Sequence, residues 1–261
     1  MPTVRDEAVC IRQWDWSETS QTVSLFGRQT GVVRAIAKGS KRENSRFSGG
    51  LEVLTRGEFL ANIKPGSGEG LALLTAWDLQ ETFPATRASL SAFYAGMAML
   101  DLIHHAVHDS DPHPGLYDAL VVGLRQLGGA AGDGAALLAL LWAVLAETGH
   151  TPELWRDVRA GVPLSAAASY AFTPRLGGLV VDESAVGGGA GRASEPTPGP
   201  VWRVRGETVE LLRRVAGQGG LNGQSIDQAT ATRAARLLAM YFREVFSCDP
   251  PALARLLTDG P

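Results

Sequence analysis

The chain has 261 residues, 45% of them hydrophobic and 20% charged, with a net charge of −3. This length and balance suit a soluble globular protein with one large core or two smaller ones, and they exclude a disordered or collagen-like chain. Two cysteines, Cys10 and Cys248, are too few for a four-cysteine zinc site and read as reduced thiols; Met1 to Glu7 does not read as a secretory leader, and the most apolar run, Ala135 to Ala146, is too short to span a bilayer, so a cytoplasmic protein without a signal peptide is expected.

Residues 4 to 79 carry the period of two that marks β structure. Strands are expected over Val4 to Trp14, Thr22 to Phe26, Gly31 to Ala37, Leu51 to Ile63 and Leu71 to Leu79, with Thr30-Gly31 and Pro65-Gly66-Ser67-Gly68 as turns. Five strands with no helix between them point to a small Greek-key barrel, a class that includes the OB-fold. The period changes after Phe83-Pro84, where Leu90, Phe93, Tyr94, Met97, Leu100 and Ile103 recur at helical spacing. Helices are expected over Thr86 to Val107, Leu116 to Leu127, Ala135 to Thr148, Glu207 to Val215 and Asp227 to Phe246, with a last turn or two over Leu253 to Leu257. The run from Ala135 is apolar all round, which predicts a buried central helix. Residues 150–184 read as an irregular insertion with short strands at Ser169 to Thr173 and Leu179 to Val181. The Gly- and Pro-rich stretch 185–200 reads as a flexible linker. The expected fold is α+β: a five-stranded OB-type barrel over 1–82, then a helical domain over 83–261 that carries the insertion and the linker.

An enzymatic constellation is missing. No GxxxxGK[ST] loop, HExxH pair or GxSxG elbow occurs, and Gly187-Gly188-Gly189-Ala190-Gly191 lies among Pro and Ser rather than between a strand and a helix. His104 and His108 stand four apart on a helix, a spacing that can chelate, but only Asp101 or Asp111 offers a third donor, so a solvated helix end is expected. Glu81 and the Asp182-Glu183 pair lie in surface-like stretches and are expected to face solvent. No catalytic residue, cofactor or metal is expected.

The distribution of charge says more than its total. Between Arg28 and Arg46 lie Arg28, Arg34, Lys38, Lys41, Arg42 and Arg46 against the single acid Glu43, a local surplus in a mildly acidic chain. Lys38 closes a strand, and Gly39-Ser40 allows a turn whose backbone can approach an anion. Such a loop suits a nucleic-acid phosphate backbone; a solvated charged turn is the plainer alternative. Phe47, Trp14 and Trp16 fit either faces for base stacking or places in the core.

Two motifs in this region carry a resemblance. Asp15-Trp16-Ser17-Glu18-Thr19-Ser20, followed by Val23, Leu25, Phe26 and Gly31, is similar to the opening of the RecO family of bacterial DNA repair proteins. Ala37-Lys38-Gly39-Ser40-Lys41-Arg42, with Ser45-Arg46-Phe47 and Gly49-Gly50-Leu51, resembles the segment that follows in that family. Glu81-x-Phe83-Pro84 resembles its exit from the barrel, and Ala234 to Val245 its closing helix. The likeness is specific over about residues 8–55 and colinear beyond.

The resemblance implies a recombination mediator without enzymatic turnover, nucleoid-associated in the cytoplasm. RecO-like proteins bind single- and double-stranded DNA, anneal strands, and partner with RecR and through it RecF. They also contact the C-terminal tail of single-stranded-DNA-binding protein and help load RecA. By motif, Lys38, Lys41, Arg42 and Arg46 would hold DNA, with Arg34 beside them on the barrel face, while Glu18 and Ser20 would shape the first barrel turn. Arg233, Arg236 and Arg243 are candidates for the tail, with the solvated face of a helix as the plainer reading. An adaptor with little DNA binding of its own is the alternative reading. Many members carry two CxxC pairs; here Asp157, Ala160, Val181 and Ser184 hold those positions. Ala and Val cannot ligate, so the implied zinc is lost, and the 150–200 region is expected to be mobile and held by packing alone.

Overall fold

A computed structural model describes residues 2–43, 46–48, 50–63, 70–182, 199–218 and 226–258. Alternation builds the N-terminal sheet. In β1 (Thr3–Asp15), β2 (Gln21–Gly27) and β3 (Gly31–Ala37), the side chains of Ala8, Cys10, Val23, Leu25, Val33, Ala35 and Ala37 enter one core. β4 is the short Phe47–Ser48. β5 (Arg56–Asn62) and β6 (Ala72–Glu81) add Phe59, Ala61, Ala72, Leu74 and Trp77 to the same core.

Antiparallel pairs join β1 to β2, β2 to β3, β1 to β5 and β5 to β6. β3 runs parallel to β6 through Ala35–Ala72, Ile36–Leu73 and Ala37–Leu74. The order β3-β2-β1-β5-β6 thus returns to β3, which is the OB-like arrangement expected from the sequence, with β4 added beside β6. β5 is shorter than the expected Leu51 to Ile63 strand. Leu51 and Leu54 are buried, yet the chain turns there, with Leu54 at φ 59°. The turn bonds to β1 where β1 bulges between Cys10 and Arg12: the Leu54 N–H donates to the Cys10 carbonyl (3.2 Å) and the Cys10 N–H to the Thr55 carbonyl (2.9 Å). The Pro65–Gly68 turn lies outside the described residues.

The β2–β3 turn is fixed by a buried acid. Asp6 Oδ2 accepts from the N–H groups of Gln29 (2.8 Å) and Thr30 (3.0 Å) and from the Thr30 hydroxyl (2.9 Å). Gly31 follows at φ 68°, and a Cβ there would sit 2.2 Å from the Asp111 carbonyl oxygen, so only glycine admits that close approach.

Contacts divide the chain into two compact units, Met1–Asp133 with Pro250–Pro261, and Gly134–Asp249. In the first, α1 (Ala85–Ala88), α2 (Leu90–Ala106), α3 (Pro114–Gln126) and α7 (Pro251–Thr258) accompany the sheet. The single helix expected over 86–107 is broken at Ser89, whose backbone is extended and whose hydroxyl accepts the Ala92 N–H to start α2. Asp101 on α2 pairs with Arg12 on β1 and also accepts the Ala252 N–H at the start of α7 (3.2 Å). Glu81 is not solvent-facing as expected. It accepts from Arg56 (3.1 Å) and, through both oxygens, from Arg125 of α3 (2.8 and 2.7 Å). The Arg125 bonds, with Arg56 assisting against burial, hold its carboxyl below the usual range.

The second unit holds α4 (Asp133–Glu147) from Gly134 onward, apolar as its composition predicts and buried over Ala135 to Leu145 except at the partly exposed Ala139 and Ala143. β7 (Ser169–Thr173), β8 (Gly178–Val180) and β9 (Trp202–Arg205) form a three-stranded sheet in the order β8-β7-β9. β9 is additional to the two short strands expected. α5 (Gly206–Gln218) and α6 (Gln228–Phe246) complete the unit. Phe172 of β7 stacks on Trp202 (5.9 Å between centroids) and meets Tyr241 of α6 edge-on (5.3 Å). Asp182 is buried rather than solvent-facing, accepting from Ser169 (2.9 Å) and pairing with Arg203 (3.0 Å). Of the expected 185–200 linker, all but the last two residues lie outside the described residues. Among the described residues, no helix is long and apolar enough to cross a membrane.

Candidate nucleic-acid interface

The basic segment forms a turn directly after β3. Lys38, Lys41 and Arg42 are all exposed on it. The turn is braced by the β1–β2 connection: the Gly39 N–H donates to Ser20 Oγ (3.1 Å), and the Lys41 N–H donates to the Thr19 carbonyl (3.1 Å). Gly39 has φ 70°, and the Arg42 side chain lies over it, its Cδ 3.5 Å from where a Cβ would stand. Ser20 of the Glu18-Thr19-Ser20 motif is thus a buried brace, while Glu18 is exposed.

The cations differ in what they face. Lys41 pairs with Asp15 at the end of β1. Among the described residues, Lys38 and Arg42 enter no ion pair, so their charge is available to an anion. Arg46 is also exposed, and its carbonyl accepts the Trp77 N–H (3.2 Å). Arg34 stands apart from this group. It lies on the outer face of β3, four residues before Lys38 and so about 13 Å away along the strand. There it pairs with Asp109, an acid 75 positions away in sequence.

Arg34 lines a cavity of about 360 Å³ together with Ser24, His104, His105, His108 and Asp109. His104 lies in the last turn of α2 and is half-buried rather than fully solvated, while His108 is exposed but stands past the helix end instead of on the helix. Burial, then the nearby Arg12 charge, lowers its pKa, and burial lowers that of His105. Among the described residues, no group of three or more His, Cys, Asp or Glu side chains is placed to hold a metal ion.

The aromatics separate. Phe47 is buried among the core residues and offers no face to a base. Trp14 and Trp16, at the end of β1, are 50% and 62% exposed. Their exposure had no sequence signal beyond their place beside the turn.

On α6, Arg233 donates to Glu207 (2.6 Å) and Thr230 (2.7 Å), and Arg243 pairs with Asp249 (2.8 Å). Arg236 is half-buried between them. The three recur at intervals of three and seven, which places them on one side of the helix.

The zinc implied by the resemblance does not fit these residues. Asp157 is 3% exposed and spends both carboxylate oxygens on backbone donors. Oδ1 accepts from Arg159 (2.8 Å) and Ala160 (3.0 Å), and Oδ2 accepts from Val181 (2.9 Å). Ala160 and Val181 have no ligating atom, and Ser184 lies outside the described residues. Packing alone does not hold the described part of this region, residues 150–182, because one carboxylate ties the 157–160 turn to the end of β8. Burial pushes its pKa up, but the N–H bonds from Val181, Ala160 and Arg159 outweigh it and the net direction is down. Neither Cys10 nor Cys248 is in a disulfide, and burial pushes the Cys10 thiol up to about 12.

Comparison with known proteins agrees with the fold. The family model for the Recombination protein O N terminal matches residues 1–83, and that for the Recombination protein O C terminal matches 87–247. A DNA repair protein RecO of Rhodopirellula baltica is 28% identical over 223 residues, covering 85% of this chain and 78% of its own. That of Cutibacterium acnes is 32% identical over 187 residues, covering 69% and 73%. That of Thermobifida fusca is 32% identical over 183 residues, covering 69% and 72%. With an OB-like sheet, a braced basic turn beside it, and family models that together span nearly all of its length, the chain belongs to the RecO family of DNA repair and recombination proteins.

Proposed function

We propose that this protein is a recombination mediator that binds single- and double-stranded DNA through the turn after β3, without enzymatic turnover. On this reading it anneals strands and, with RecR and through it RecF, helps load RecA on DNA coated by single-stranded-DNA-binding protein. The observation that carries the reading is the pair Lys38 and Arg42, exposed and free of acids on a turn whose backbone is fixed from both ends. Cations held this way contact phosphates without sequence preference. Lys41 and Arg46 extend the contact, and Arg34 joins it by exchanging Asp109 for a phosphate.

Fluorescence anisotropy of a labelled oligonucleotide across a salt series tests this. Replacing Lys38 and Arg42 together with alanine removes two phosphate contacts, so the log–log salt slope on a single strand should flatten by about 1.4. Thermal unfolding should stay unchanged, because both side chains are exposed. An unaltered slope and affinity at low salt would remove DNA from this turn.

A second reading draws on a different observation. Lys41 and Arg34 are already neutralised by acids, which trims the free charge of the face. A protein acting mainly as an adaptor would instead present Arg233, Arg236 and Arg243 on α6 to the acidic tail of single-stranded-DNA-binding protein. Tail-peptide binding that survives the Lys38/Arg42 change and falls with Arg236→Ala favours it.

A further inference from the structure

The register of the sheet sorts its outer face into rows. Arg12, Ser24 and Arg34 stand opposite one another across β1, β2 and β3, and Trp14, Thr22 and Ile36 form the next row. Val23, Leu25, Ala35 and Ala37 alternate with them and point into the core. This three-stranded face and its adjoining loop are where OB-type folds take oligonucleotides. Here the first row is closed off. Asp101 pairs with Arg12, Asp109 pairs with Arg34, and His104, His105 and His108 wall in Ser24.

The second row is open. Trp14 is half exposed, Trp16 lies two residues on and is more so, and Thr22 and Ile36 are partly exposed between Trp14 and Lys38. Trp16 is the first residue past β1, where its N–H donates to the Ser20 carbonyl (3.0 Å), so the two indoles flank Asp15 at the strand's end. Two large indoles left in water cost the fold apolar surface that it buries elsewhere, as at Trp77. Lys38, Lys41 and Arg42 lie exposed on the turn after β3, which is tied to this end of β1 through Lys41–Asp15 and to the β1–β2 connection through Thr19 and Ser20. Two exposed indoles beside a turn that carries three cations are complementary to a polyanion whose bases are free.

We propose that Trp14 and Trp16 are a stacking platform for the unpaired bases of single-stranded DNA, and that they make this face prefer single strands to duplex. This rests on the DNA-binding reading above and names what that reading leaves open. Cations reach the phosphates of either form, but an indole reaches only a base that is not enclosed in a helix. Stacking works for any base, so no sequence preference accompanies it.

The test compares the full chain with Trp14→Ala/Trp16→Ala, Trp14→Phe/Trp16→Phe and Lys38→Ala/Arg42→Ala, on labelled oligo-dT and on a duplex of equal length. The alanine pair should weaken oligo-dT binding about tenfold to a hundredfold and change duplex binding by less than about twofold. The phenylalanine pair should restore most of the loss, and the Lys38/Arg42 variant should lose both forms. Tryptophan emission of the wild type should be quenched by oligo-dT, and that quenching should shrink in the alanine pair. Equal loss on both DNAs, or none, in the alanine pair while the Lys38/Arg42 variant still loses both, overturns the platform and leaves the DNA-binding reading intact. Binding of an acidic apolar peptide that quenches the same indoles while oligo-dT does not also overturns it. No binding of either DNA by wild type at low salt overturns both.

Discussion

Asp101→Ala should cost the first unit about 3–5 kcal/mol, read by chemical denaturation at neutral pH. Asp101 is 4% exposed, and its partner Arg12 is mostly buried on β1. Removing the acid strands a guanidinium whose remaining hydrogen bond among the described residues is to the Ile11 carbonyl (3.0 Å). It also strips the Ala252 N–H of its acceptor at the start of α7, where an acid favours a helix N-terminus. A whole domain is stable by only about 5–15 kcal/mol, so this one change takes a large share. Asp101→Asn keeps the volume but not the charge and should recover little. Hydrogen exchange should quicken at Ala252, Leu253 and Ala254 before the sheet amides respond. A loss below about 1 kcal/mol would mean that water replaces the pair, and the account of α7 as anchored through Asp101 would fail.

The second large effect belongs to Asp157. Asp157→Asn should destabilise the second unit by about 2–4 kcal/mol, because three buried backbone donors lose a charged acceptor. Asparagine offers one acceptor oxygen and turns an NH2 toward a donor, so it should be no milder than Asp157→Ala. Amide protection at Arg159, Ala160 and Val181 should fall together, and a chelator should leave the melting temperature of the wild type unchanged. One tightly held zinc per wild-type chain, removed with a drop in melting temperature, would refute the carboxylate tie.

The pH dependence has a definite sign in each unit. Asp157 titrates lower in the folded than in the unfolded chain. Its contribution is therefore complete above about pH 4 and is lost as pH falls through the depressed native value. His104 and His105 are also lowered, chiefly by burial. The folded first unit prefers them neutral, so its stability is full above about pH 6.5 and declines as pH falls through their native values. Acid should loosen the first unit before the second, and Asp157→Asn should flatten only the limb below about pH 4.

Much of the fold was legible because the period of the apolar residues is strong. The sheet from Val4 to Leu79, the buried α4 and the long α6 all follow from spacing. Leu51 to Thr55 misled because buried leucines three apart satisfy a core from a turn as well as from a strand; the left-handed Leu54 and the bulge in β1 are tertiary facts. β9 is four residues after a Gly- and Pro-rich stretch, too short to leave a period. The basic turn was legible as local charge. The neutralisation of Arg34 by Asp109 was not, since the partners are far apart in sequence. Asp157 read as the loss of a ligand, and its actual work is done on the backbone of Val181, whose side chain says nothing about it.

The placement of α7 has a consequence for how the protein is made. This helix belongs to the first unit but follows the whole of Gly134–Asp249 in the chain. A ribosome adding about 5–20 residues per second spends on the order of ten seconds on that intervening stretch. Throughout that interval the nascent first unit has its sheet, Arg12 and Asp101, but lacks Leu253, which is fully buried in the finished protein. The growing chain therefore carries an uncovered apolar patch on α2 for those seconds, until α7, made after the second unit, packs over it.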